Sequence, residues 1–308
     1  MSLVEKALEK MKEASRAAPP AAAPGPASGT PLQRPHADAV AVSRISDTAS
    51  HRVLPRRRVV NINLTALRAA GLFPPEHQER PIAQQYRQIK RPLVANAMGR
   101  GVPQLQNGHL IMLASAMPGE GKTFTSINLA LSMSIEKDFN VLLVDADVAK
   151  PHISRLLGLQ DEPGLLDVLR DPSLDVESVI LPTDVPNLSL LPAGTRSEQA
   201  TELLTSARME QVVRAIGERD QKRIALFDSP PLLLTTESHA LTQVVGQVVV
   251  VVRAAVTSQQ MLMDALSYLG ERSGVSLILN QSVASSPTGY HYYGYGEQRS
   301  GQSEAPPT

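Results

Sequence analysis

The sequence contains no cysteine and no tryptophan, and aromatic residues fill only 3% of its 308 positions. Without cysteine there is neither a disulfide nor a thiolate metal site, which suits a reducing compartment. The seven histidines are scattered without the spacing of metal ligands. Net charge is absent as well: 30 Lys and Arg balance 30 Asp and Glu. No long run of one sign occurs, so a nucleic-acid partner is not expected. No window reaches the ~18 uninterrupted apolar residues of a membrane helix, and the N-terminus lacks the basic start and apolar run of a signal peptide. Together these absences lead to the expectation of a cytoplasmic chain.

What is present divides into five parts. Residues 1–15, MSLVEKALEKMKEAS, put Leu3, Ala7, Leu8 and Met11 on one stripe of an amphipathic helix. Residues 16–58, rich in Pro and Ala at first, have the composition of a disordered linker. Residues 59–100 read as a helical extension, with Ile82, Tyr86, Ile89, Leu93 and Ala97 at helical spacing and Pro92 arguing against an unbroken helix. Residues 101–288 alternate short apolar runs (LIMLAS, VLLVDA, LSLLPA, IALFDS, VVVVVR and VSLILN) with helix-length segments. That pattern predicts an α/β fold with a doubly wound, mostly parallel sheet and a ligand site at its C-terminal edge. Residues 289–308 return to loop composition, and four of the chain's six tyrosines fall there, at Tyr290, Tyr292, Tyr293 and Tyr295.

Directly after the first apolar run stands AMPGEGKT, followed by the helical FTSINLALSMS. Strand, glycine loop and helix in that order form a phosphate-binding P-loop. Gly119, Glu120, Gly121, Lys122, Thr123 and Phe124 are its candidate nucleotide-binding residues, with Lys122 reaching the β and γ oxygens and Thr123 taking Mg²⁺. The pattern's first glycine is replaced by Ala116. The second run ends in Asp145 and Asp147, on a strand expected beside the P-loop strand, and a third run ends in Asp228 before two prolines. Carboxylates at the ends of apolar strands are costly unless a cation compensates them, as magnesium and phosphate chemistry would. Any one of these aspartates alone would better suit a turn or helix cap. Three of them after a GKT loop point to an active site, with Asp145 and Asp228 as metal candidates beside Thr123.

Walker A loop, DxD strand, Walker B strand and terminal tyrosine cluster together resemble the bacterial tyrosine kinases of exopolysaccharide and capsule export, over about residues 81–297. The start of the chain, the linker and YRQIKRPLVANA are similar to a subgroup encoded with exosortase-linked polysaccharide loci, in which the kinase is a separate chain. The resemblance implies a P-loop NTPase fold and an ATP-dependent autokinase. In it Lys122, Thr123, Asp145, Asp147 and Asp228 form the Mg–ATP site, and terminal tyrosines are phosphorylated in trans within a ring-like homo-oligomer. It implies, too, a transmembrane chain-length regulator as activator and peripheral association with the inner membrane. It places Asn280, at the end of the last run, near the adenine, with a loop-forming asparagine as the alternative reading. Two departures stand out: Ala149, then Lys150, occupy the place of the family's arginine after the DxD, and the assembly-helix motif reads Gln84, Arg87 and Lys90.

Two other functions fit parts of the pattern. A partitioning or septum-positioning ATPase of the deviant Walker type would share the fold, but would carry a lysine where Met117 stands. A non-catalytic nucleotide-binding adaptor of a membrane polysaccharide co-polymerase would explain the N-terminal helix and linker but leave three strand-end carboxylates without a task. The tyrosine-rich tail, taken alone, reads as an aromatic platform for a partner. About ten residues separate it from the last strand and can span up to ~35 Å, so the tail reaches a ligand site at the sheet's edge, its own or a neighbour's.

Overall fold

A computed structural model describes residues 58–282, apart from Gln221, Glu271 and Ser273. The expected N-terminal helix, most of the linker and the tyrosine tail lie outside these residues. The elements run α1 (Leu64–Ala69), α2 (Glu76–Met98), β1 (Leu110–Ser115), α3 (Lys122–Ser134), β2 (Asn140–Asp145), α4 (His152–Leu156), α5 (Leu165–Arg170) and α6 (Val176–Val179). They continue β3 (Leu181–Pro182), β4 (Leu188–Leu191), α7 (Ala200–Leu204), α8 (Ala207–Glu218), β5 (Arg223–Asp228), α9 (Thr236–Thr242), β6 (Gln247–Arg253), α10 (Gln259–Ser267) and β7 (Val275–Asn280).

All six apolar runs are strands. The inner strands are apolar because both faces of the sheet are covered there, whereas the edge strand β7 leaves Leu277 and Leu279 exposed. Leu110, Met112 and Ala114 of β1 join one core with α5, α8 and α9, while Ile111 and Leu113 join another with α2 and α3. Each such Leu, Ile or Met side chain contributes roughly 1.5–3 kcal/mol by leaving water. The strand order is β3-β4-β2-β5-β1-β6-β7. All neighbours are parallel except β3, a two-residue edge strand antiparallel to β4. One expectation is corrected by this order: the DxD strand β2 is not beside the P-loop strand β1, because β5 lies between them. The three carboxylate-bearing or glycine-bearing strand ends are nonetheless contiguous, which is the topological reason they make one site.

Helix α2 is also corrected, since it runs unbroken through Pro81 and Pro92. Each proline removes a backbone donor and costs roughly 3 kcal/mol in a helix interior. Docking offsets this: Tyr86, Leu93, Val94 and Ala97 are buried in the core shared with α3. Gln247 Nε2 donates to the Leu93 carbonyl at 3.0 Å, and Asn96 Nδ2 donates to Gln247 Oε1 at 3.0 Å. Gly99, at φ 66°, ends the helix in the left-handed region. Lys90 is engaged within the chain. Its ammonium donates to the Ser132 carbonyl at 2.8 Å and pairs with Glu136 at 2.6 Å, where a cation suits the carbonyl end of α3. Gln84 and Arg87 are exposed.

Candidate active site

The loop between β1 and α3 explains its own departure from the pattern. Positive φ occurs at Gly119 (82°) and Gly121 (94°) but not at Ala116, so only the two retained glycines need glycine's freedom. Ala116 packs in the core below the loop. Gly121 begins α3 with no side-chain cap, which leaves the first-turn N–H groups free for an anion. Gly121 is further required by its neighbour, because a Cβ there would lie 1.9 Å from Asn280 Nδ2. Asn280 Nδ2 donates to the Glu120 carbonyl at 2.9 Å, and Asn280 also lines the cavity described below.

The Glu120 side chain is committed to the loop, which leaves its role among the nucleotide contacts to its backbone. The carboxylate accepts the Met117 N–H at 3.0 Å and the Thr257 hydroxyl, and is buried. Thr257 was not foreseen. Its hydroxyl also accepts the Arg253 N–H at 3.1 Å, tying the P-loop to the turn after β6. Met117, at the position of the partitioning ATPases' lysine, packs against the core. Phe124 packs against the second core and lines the cavity mouth.

At the strand ends, Asp145 and Asp228 are register partners across β2 and β5. Asp228 accepts from Thr123 Oγ1 at 2.8 Å and Ser126 Oγ at 3.0 Å. Lys122 Nζ stands 3.7 Å from Asp147 and 3.9 Å from Asp228. Because β2 stops at Asp145, the two DxD carboxylates diverge in task. Asp147 lines the cavity beside Lys122, and its Oδ1 accepts the Lys150 N–H at 3.2 Å. Asp145 Oδ2 instead accepts from both the N–H and the hydroxyl of Ser154, at 2.8 and 2.7 Å. Lys150 reaches the cavity, as a substitute for the missing arginine would need to.

Three buried carboxylates face one buried ammonium, an excess of two formal negative charges. Burial, then the neighbouring Asp228, pushes the Asp145 carboxyl up to about 7. Asp228 is raised too, by burial, against the pull of Lys122 and its hydroxyl donors. Among the described residues, Asp145 Oδ1 is buried with no hydrogen-bond partner. An uncommitted carboxylate oxygen, surplus negative charge and the oxygen donors Thr123 and Asp228 fit a hard divalent cation such as Mg²⁺.

A cavity of about 1050 Å³ is lined by Thr123, Lys122 and Asp147, and not by Asp145 or Asp228. Its floor includes Gly121, Lys122 and Asp147, and Leu72, Pro75 and Ile82 of the N-terminal extension form a wall. The volume lies at the upper end for ligand sites, with room for a nucleotide and part of a second reactant.

Residues 108–274 match the AAA domain family. The chain is 32% identical over 196 residues to the tyrosine-protein kinase Wzc of Salmonella typhimurium, covering 63% of this chain and 26% of that protein. It is 29% identical over 215 residues to the tyrosine-protein kinase YwqD of Bacillus subtilis, covering 69% and 86% respectively. Among solved structures it is similar to the VpsO kinase domain at 27% identity and a TM-score of 0.56, over 68% of this chain and 100% of that one. The chain thus spans about a quarter of Wzc and most of YwqD.

Proposed function

The chain belongs to the bacterial tyrosine kinases, within the AAA domain family, and on that premise we propose that it is an ATP-dependent autokinase whose acceptors are Tyr290, Tyr292, Tyr293 and Tyr295. The observation that carries this reading is the convergence of Lys122, Asp147 and Asp228 at a GKT loop beneath a cavity larger than a nucleotide requires. ATP binds with its phosphates against the loop amides and the N-terminus of α3, and Lys122 contacts the β and γ oxygens. Mg²⁺, when bound by Thr123, Asp145 and Asp228, neutralises phosphate charge. Asn280 holds the loop against the base side of the site.

A tyrosine hydroxyl with a pKa of about 10 is protonated at neutral pH. Asp147 accepts that proton as the phenolic oxygen bonds to the γ-phosphorus, while the bond from phosphorus to the β,γ-bridging oxygen breaks and ADP leaves. The transition state is loose, so alignment and charge neutralisation by Lys122 and the loop amides supply most of the acceleration. The tail comes from a second copy in a ring-like homo-oligomer. A transmembrane polysaccharide co-polymerase is the activator that holds the kinase at the inner membrane, and the cycle regulates exopolysaccharide chain length and export. The names of Wzc, YwqD and VpsO support the reading.

Purified chain incubated with Mg–ATP tests it. Phosphotyrosine is expected in the unmodified protein and at least a hundredfold less in Lys122→Met, at equal folding by circular dichroism. Equal labelling in the two proteins rejects the assignment.

A further inference from the structure

Asp145 has one oxygen committed and one free, and the commitment comes from a single residue. Ser154 gives Asp145 Oδ2 both its N–H, at 2.8 Å, and its hydroxyl, at 2.7 Å. The same hydroxyl oxygen accepts the Ala193 N–H at 3.0 Å, anchoring the serine to the turn after β4. All three residues are buried: Ser154 and Ala193 are 2% exposed and Asp145 is 1% exposed. The opposite oxygen, Oδ1, is buried and has no partner among the described residues. Ser154 lies in the first turn of α4, whose preceding Pro151 offers no side-chain cap, so Asp145 also satisfies an otherwise orphaned helix N–H. A purely structural cap would not need this asymmetry, because a buried carboxylate that only capped a helix gains by engaging both oxygens.

We infer that Ser154 is a positioning residue for the magnesium–nucleotide site: its two donors clamp one oxygen of Asp145, fixing the carboxylate so that Oδ1 alone remains to bind the cation. The inference rests on the nucleotide–magnesium part of the proposed function and not on tyrosine transfer. Donors behind a metal-binding carboxylate set its rotation, and their loss typically lowers metal affinity by about 10- to 100-fold.

The test uses the full chain and reads binding, not turnover. ADP is titrated calorimetrically with and without Mg²⁺, and the ratio of the two affinities is the magnesium coupling. In Ser154→Ala the coupling falls about tenfold or more, while ADP affinity without Mg²⁺ stays within about twofold. Ser154→Cys fills nearly the same space with a weak donor and reads the same quantity should the alanine variant not fold. It too loses coupling. On an Asp145→Asn background, Ser154→Ala lowers the coupling no further, as expected for two residues acting as one unit. Unchanged coupling in a folded Ser154 variant, or full additivity with Asp145→Asn, overturns the inference. So does an unmodified chain with no magnesium coupling, which rejects the nucleotide–magnesium site as well. A chain that shows the coupling yet makes no phosphotyrosine sinks only the kinase reading.

Discussion

Asp145 and Asp228 stand opposite each other at the ends of adjacent parallel strands, both buried and both with carboxyl groups shifted upward. Two like charges in register are held by strand pairing, not by mutual attraction, and the fold carries their repulsion until a cation arrives.

A pH dependence follows, with a defined sign. The folded Asp145 carboxyl, raised to about 7, binds a proton that the unfolded chain, with an Asp near 3.8, has already released. Stability without Mg²⁺ therefore falls as pH rises from about 4 to 7, with a slope of up to ~1.4 kcal/mol per pH unit from this group. Asp228 acts in the same direction. Urea denaturation of the metal-free chain across this range checks it, and Asp145→Asn should flatten the slope. A stability that rises with pH in the unmodified chain and falls to no slope in Asp145→Ala would reverse the assignment.

Gly119 and Gly121 separate two costs of a methyl group in the loop. At Gly119 a Cβ meets nothing within 4 Å, so Gly119→Ala incurs only the positive-φ strain of roughly 1–2 kcal/mol. At Gly121 the Cβ also collides with Asn280 Nδ2. Gly121→Ala should weaken ADP binding by at least a further tenfold, and Asn280→Ala should recover part of that loss. Equal affinities in the two glycine variants would show that the Asn280 contact does not shape the loop.

Lys90 is predicted to matter for stability and not for assembly. Lys90→Met removes a charge-assisted bond to the Ser132 carbonyl and an ion pair with the half-exposed Glu136, at a cost of about 1–3 kcal/mol. Chemical denaturation should register it, while light scattering should give the mass of the unmodified protein. A changed mass at unchanged stability would return Lys90 to the interface.

The sheet and the P-loop were legible in the amino-acid order because their signals are local. Strands buried on both faces must be apolar throughout, and a phosphate loop needs glycine where φ is positive, at Gly119 and Gly121. Spatial order is not local. Nothing in IALFDS says that β5 inserts between β1 and β2, and the two residues of β3 carry no periodicity to read. Pro92 misled because packing of Leu93 and Val94 on α3 outweighs a missing helix bond. Ser154 and Thr257 were invisible because each is an ordinary hydroxyl residue whose role arises from a neighbour far along the chain, Asp145 or Glu120. The intrachain partners of Lys90 were not legible either, since a motif position does not report which carbonyl its ammonium meets.

The central claim is transfer from this site to the terminal tyrosines, and the most direct measurement is peptide-resolved phosphate mapping of the full chain after incubation with Mg–ATP. The account predicts phosphate on Tyr290, Tyr292, Tyr293 and Tyr295, and none on Tyr86, whose buried hydroxyl is held up to about 12 by desolvation despite a bond with Thr125. It predicts little on Tyr268, which stacks on His239 at 4.1 Å. Phosphate found mainly on Tyr268, or found on no tyrosine while ATP is still turned over to ADP, would contradict it.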